Sequence, residues 1–167
     1  MTPEQLATLK TAIVADPALN SQPMTSDGAD AIAKALNLTA TPDFYVWSTF
    51  VTQDEIMQNG FDWVRVDNLS VGKARIWEWL FDNQNSAIDA SKTNVRAGIT
   101  ECWKGTAADN AVRLAVFQHC QRKASRFEKI FAIGAGTTTD QDGIGPATMV
   151  LVSPVSYDDV QAARSLP

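Results

Sequence analysis

The chain has 167 residues, enough to bury a core and fold unaided as one domain of ordinary size. With 45% hydrophobic and 20% charged residues it has a globular balance and lacks the low hydrophobicity of a disordered chain. A formal net charge of −5 argues against a protein that holds nucleic acid chiefly through phosphates, because that affinity comes from lysine and arginine releasing counterions.

Thr2, Pro3 and Gln5 form a helix start: a capping hydroxyl, proline at the first helical position and an amide able to reach back. The first helix is predicted to reach Val14, and Asp16-Pro17 ends it, since proline pushes its predecessor away from helical geometry. Residues 20–24 read as a linker. Ala29, Ile32, Ala33 and Leu36 share one face at helical spacing, which places a second helix between Ser26 and Asn37. After Pro42 the apolar run Phe44 to Trp47 reads as extended and buried. Thr52 with Glu55 is a capping box and Gly60 a stop, leaving room for about two helical turns. Ser70 caps a helix from Val71 to Asn83 whose Ile76, Trp77, Trp79, Leu80 and Phe81 wrap most of the circumference and place it centrally.

Thr93 caps a helix with Val95, Ile99 and Cys102 on one face, closed by Gly105. Thr106 with Asp109 starts the longest predicted helix, which runs to Ile133 through Ala111, Leu114, Val116, Phe117, Ala124, Phe127 and Phe131 before Gly134 closes it. Gly134 to Pro146 is a polar, flexible loop. Met149 to Val152 reads as a short strand, and Ser156 with Asp159 caps a final helix. The expected fold is mainly α: a helical bundle of about five to six helices, an extended Gly/Thr-rich arm and a short C-terminal strand or hairpin. The core is placed in 1–133, the irregular arm in 134–155 and a short helix or tail in 156–167, one domain overall.

Cys102 and Cys120 both lie in helical stretches, so the chain carries no disulfide framework and a reducing, cytoplasmic origin is expected. Met1 to Gln5 has no basic segment leading an apolar run, and no stretch of about eighteen apolar residues occurs, so neither a secretion signal nor a membrane span is predicted. His119 and Cys120 are neighbours that point about 100° apart on a helix, a poor start for a shared proton. Cys102 offers His119 one other pairing, with no third residue to orient it; packed cysteines and a half-buried histidine are the preferred reading. One histidine and two separated cysteines are too few ligands for zinc. Gly134-Ala135-Gly136 follows a helix and lacks a lysine, unlike a nucleotide loop. Asp140 and Asp142 before Gly143 echo part of a calcium loop, but Met149 stands where its glutamate belongs. No catalytic, metal or cofactor site is therefore predicted.

Of the five tryptophans, Trp47, Trp63, Trp77, Trp79 and Trp103, most are expected in the core. Trp77 and Trp79 cannot face the same way on a helix, which leaves one of them for a partner. Arg122, Arg126 and Lys129, spaced four and three apart, make a basic stripe on the long helix, reinforced by Lys123. Such stripes are commonly solvated faces; the sharper expectation is a contact to an acidic neighbour, another copy of the chain before DNA. Gly136 and Thr138 of the arm, with Met149 and Leu151 as alternate side chains of a strand added to a partner's sheet edge, complete the expected interface.

The run from Gly60 to Trp79, containing Gly60-Phe61-Asp62-Trp63 and Val71-Gly72-Lys73-Ala74-Arg75, resembles a family of small virion-morphogenesis proteins of tailed bacteriophages and prophages. Asn94 to Ile99, Arg122 to Thr139 around Arg126-Phe127-Glu128-Lys129, and Gly145 to Met149 leading to Ser156 to Val160 extend the resemblance over nearly the whole chain. It implies a structural, non-enzymatic virion subunit assembled in the host bacterial cytoplasm, a ring-forming head-to-tail connector or adaptor at the neck below the portal. The implied partners are further copies in a homo-oligomeric ring, the portal and other neck or tail proteins. Genome DNA would pass through the ring without sequence-specific binding, and no membrane is involved. The alternative is a phage-encoded enzyme or modifier acting in the infected cell.

Overall fold

The computed structural model describes residues 1–57, 63–82, 86–151 and 154–167. In chain order the elements are α1 (Pro3–Ala15), α2 (Pro17–Asn20), α3 (Ser26–Asn37), β1 (Tyr45–Trp47), β2 (Val51–Thr52), α4 (Gln53–Ile56), α5 (Trp63–Asp67), α6 (Val71–Phe81), β3 (Ala87–Ile88), α7 (Thr93–Cys102), α8 (Ala107–His119), β4 (Gln121–Lys123), α9 (Arg126–Phe131) and α10 (Tyr157–Ser165). The two sheets have two strands each, β1 with β4 and β2 with β3, so the described chain is mainly α. Local chemistry sets many of the boundaries. Thr2, Thr52, Thr106, Ser125 and Ser156 each complete a capping box: the hydroxyl accepts from the third backbone N–H of the helix while the side chain there accepts from the cap's own N–H. A cap of this kind stabilises by about 0.5–2 kcal/mol, enough to restart a helix wherever the pattern recurs.

The chain divides into two compact units. The first comprises Met1–Phe44, Lys123–Ala132 and Val150–Pro167. Its core gathers Leu9 and Ile13 of α1, Leu19 of α2, Ile32 and Leu36 of α3, Phe127 of α9, and Val160 and Ala163 of α10. Each fully buried aliphatic or aromatic side chain contributes about 1.5–3 kcal/mol. Polar bonds then fix the long-range register. The Asn37 amide donates to the Val155 carbonyl at 2.9 Å and accepts from the Val155 N–H at 3.0 Å. Arg164 donates to the carbonyls of Pro23 and Gln22 at 2.8 and 2.7 Å, and Lys10 to those of Leu166 and Pro167 at 2.7 and 2.9 Å.

The second unit comprises Tyr45–Arg122 and Ile133–Met149. Its core is aromatic. Trp77 meets Trp103 edge to face at 4.6 Å and Phe81 at 4.9 Å, while Trp47 meets Phe117 at 5.9 Å. Ile56, Ile99, Cys102, Val116 and Cys120 fill the space around them. In the β2–β3 pair Val51 lies opposite Ile88 and Thr52 opposite Ala87. Tyr45 donates its N–H to the Gly136 carbonyl at 2.8 Å, Ala147 to Tyr45 at 2.9 Å and Trp47 to Ala147 at 3.0 Å, so the 133–149 segment lines the edge of β1.

The mainly α expectation stands, with more and shorter helices than five to six. Asp16-Pro17 ends α1 and also starts α2, the Asp16 carboxylate accepting from the Ala18 N–H at 2.9 Å. The helix predicted from Thr106 to Ile133 stops at His119. The chain becomes β4, which pairs with β1, and the Ser125–Glu128 capping box restarts it as α9. No strand occupies 149–151. The bridges form earlier, Ala147 beside Val46 and Thr148 opposite Ile133, because these residues reach an open edge. Where the sequence places a core in 1–133, the contacts group the chain into two units, each drawn from separate stretches of sequence. The expectations on Gly60, Asn83, Val152 and the Trp63 side chain fall outside the described residues.

Candidate protein interface

Cys102 and Cys120 are buried, and burial pushes both thiols up to about 12. The Cys102 thiol donates to the Lys73 carbonyl at 3.5 Å. His119 ends α8 exposed; among the described residues it makes no hydrogen bond to either sulfur. Thiols held this far above neutrality are neutral packing groups with almost no thiolate to act as nucleophile. Among the described residues no three His, Cys, Asp or Glu side chains gather as a metal site, and no helix is long and apolar enough to cross a membrane.

The basic trio does not form one stripe. Arg122 lies on β4, whereas Arg126 and Lys129 lie on α9, so the helical spacing that would align all three is interrupted. Arg122 donates to the Met149 sulfur at 3.4 Å, which brings two expected interface residues together within the second unit. Arg126 pairs with Asp16, and Lys123 with Asp43 at 2.7 Å, both within the first unit. Lys129 stays exposed with its ammonium 5.5 Å from the Phe44 ring, and among the described residues no carboxylate pairs with it.

Several described residues of the predicted arm are packed. Gly136 is buried, and its carbonyl receives the Tyr45 N–H. Thr139 is buried, its N–H donating to the Gln121 amide oxygen at 2.8 Å. A Cβ on Gly143 would lie 2.8 Å from the Phe117 ring, and its φ of +71° also disfavours other residues, so this glycine fixes the loop against α8. Thr138 remains exposed, while Met149 and Leu151 are half-buried. Sequence reasoning missed Arg113. It sits on the buried face of α8 between Val112 and Val116, and a cation inside an apolar stripe is the signal that could have found it.

Two surface features stand out among the described residues. In the second unit Trp79 is 68% exposed on α6, one turn on from exposed Arg75, with Val71 also open to solvent. Trp77, two residues earlier, is buried, so the two indoles diverge as their spacing requires. In the first unit a groove of about 320 Å³ runs between α1, α2, α3 and α9, floored by Leu19, Leu36 and Ile130 and rimmed by Asp16, Arg126 and Lys129. Compared with protein-family models, curated proteins and solved structures, the chain matches none of the three.

Proposed function

We propose that the chain is a structural subunit of a tailed-phage virion, a ring-forming connector at the head-to-tail junction below the portal. Its partners in this reading are its own copies, the portal and the adjoining neck or tail proteins. What supports it is the resemblance, read from the sequence, of 60–79, 94–99, 122–139, 145–149 and 156–160 to virion-morphogenesis proteins. The surface is compatible with such a role: an exposed indole at Trp79 is the kind of side chain that anchors protein interfaces. A net charge of −5 suits a ring that lets DNA pass without gripping it.

Quantitative mass spectrometry of purified particles tests the proposal. A connector is present at a fixed ratio near that of the portal. Absence from the particle, with the chain found only in infected-cell extract, would sink the reading and favour the phage-encoded modifier.

A further inference from the structure

Arg113 is only 5% exposed, yet its guanidinium serves a surface loop. Its Nε–H donates to the Gln141 carbonyl, Nη1 to the Trp103 carbonyl at 3.0 Å and Nη2 to the Asp142 carboxylate at 2.9 Å. Inside the loop one Asp140 carboxylate oxygen accepts from the N–H groups of Asp142 and Ile144, each at 2.9 Å. Asp140 in turn donates its N–H to the Ile144 carbonyl at 2.9 Å, and Thr137 donates to Gly145 at 3.1 Å. What this order holds in place is an Ile144 side chain that is 67% exposed, next to the Asp140 carboxylate, with which no cation pairs among the described residues. A loop fixed before it binds loses little entropy on binding, so the tip is a preorganised knob with an aliphatic end and a negative shoulder.

The first unit carries the complementary socket. The groove above α9 has an aliphatic floor of Leu19, Leu36 and Ile130. Asp16 at its rim is already engaged, one oxygen capping α2 and the other on Arg126, so the charge left over is the Lys129 ammonium. An aliphatic side chain beside a carboxylate fits that chemistry. We infer that Ile144 of one copy seats in this groove of the next copy, with Asp140 facing Lys129. The inference rests on the ring reading and names the contact that would build it. Knob and socket are different surfaces, so the contact is head-to-tail and propagates into a ring or filament, whereas a two-fold contact would stop at a dimer. Burial of Ile144 supplies affinity, and the charge pair supplies register and encounter rate.

Ile144→Asp and Lys129→Glu both alter exposed side chains, and circular dichroism with a urea midpoint verifies that each variant is folded. In sedimentation experiments at rising concentration the wild-type chain associates beyond the dimer. Ile144→Asp alone associates at least about tenfold more weakly, the loss expected from denying one aliphatic side chain its pocket, and Lys129→Glu alone is also weakened, because it sets a second carboxylate against Asp140. An equimolar mixture of the two forms pairs at wild-type strength and stops there, because one variant keeps its knob and the other its socket. Association of both variants at wild-type strength overturns the contact, as does a mixture that stays monomeric or a wild-type chain that never associates. The ring reading is judged separately by copy number in particles, so the two can fail independently.

Discussion

Replacing Arg113 by methionine keeps an unbranched apolar stem and removes the guanidinium that ties α8 to the 140–145 loop. The three lost bonds are unequal. Asp142 is 58% exposed, so its pairing is screened and contributes about 0–1 kcal/mol. The Gln141 carbonyl lies on an exposed residue and can rehydrate, for a net cost of about 0.5–1.5 kcal/mol. Trp103 is fully buried, and depriving its carbonyl of this donor costs about 1–3 kcal/mol. Release of the guanidinium from a buried setting offsets part of the total, leaving an expected loss of about 1–3 kcal/mol. Urea unfolding reads the global change. Hydrogen exchange reads the local one: the amides of Asp140, Asp142 and Ile144 should exchange about 5- to 150-fold faster, while Arg126 and Val155 in the other unit keep their protection. Asp142→Asn, which retains an acceptor, serves as the control and should shift stability by about 0.5 kcal/mol or less. A methionine variant with the wild-type midpoint and unchanged loop protection would refute the account of Arg113 as the anchor.

Both thiols should resist a disulfide reagent at pH 8 in the native protein and react fully once unfolded, since burial holds them at about 12; one rapidly titrating cysteine in the folded chain contradicts this. The Glu55 carboxyl lies below its ordinary value of 4.5 because the Thr52 backbone N–H donates to it, then the Thr52 hydroxyl, with His119 adding attraction. A lowered folded value means stability that is fully present above pH 4.5 and lost as pH falls through that lower value; Glu55→Gln should flatten part of this acid limb in pH-dependent urea melts, and an unaltered slope would count against it. At Gly28 an added Cβ would lie 2.0 Å from the Pro23 carbonyl oxygen. Gly28→Ala should therefore destabilise by about 1–3 kcal/mol, reversing the usual gain of about 0.5–1 kcal/mol for this change in a helix, and a raised melting temperature would disprove the clash.

Helix ends and faces were readable because they are local. Thr2 and Ser156 announced α1 and α10 by a hydroxyl and its partner three residues on, and the spacing of Ala29, Ile32, Ala33 and Leu36 gave α3 with its observed bounds. The same motif at Ser125–Glu128 lies within a continuous apolar pattern, so the sequence reads as one long helix where α8, β4 and α9 stand. Spacing also determined that Trp77 and Trp79 diverge. Only packing decided which goes inward: Trp77 has Trp103 and Phe81 to meet, and Trp79 has solvent. The interface residues show the division most clearly. Arg122, Arg126 and Lys129 are aligned only on an unbroken helix, and whether 121–123 is helix or strand depended on β1, some seventy-five residues earlier in the chain. Gly134 to Pro146 has the composition of a flexible segment. It is ordered because Arg113, Gln121 and Tyr45 bring it donors and acceptors from distant positions, and the enthalpy of those bonds outweighs the entropy its glycines lose. The groove likewise joins residues 12–41 to 126–130, a juxtaposition created by burying α3 and α9 in one core, which no window of sequence contains.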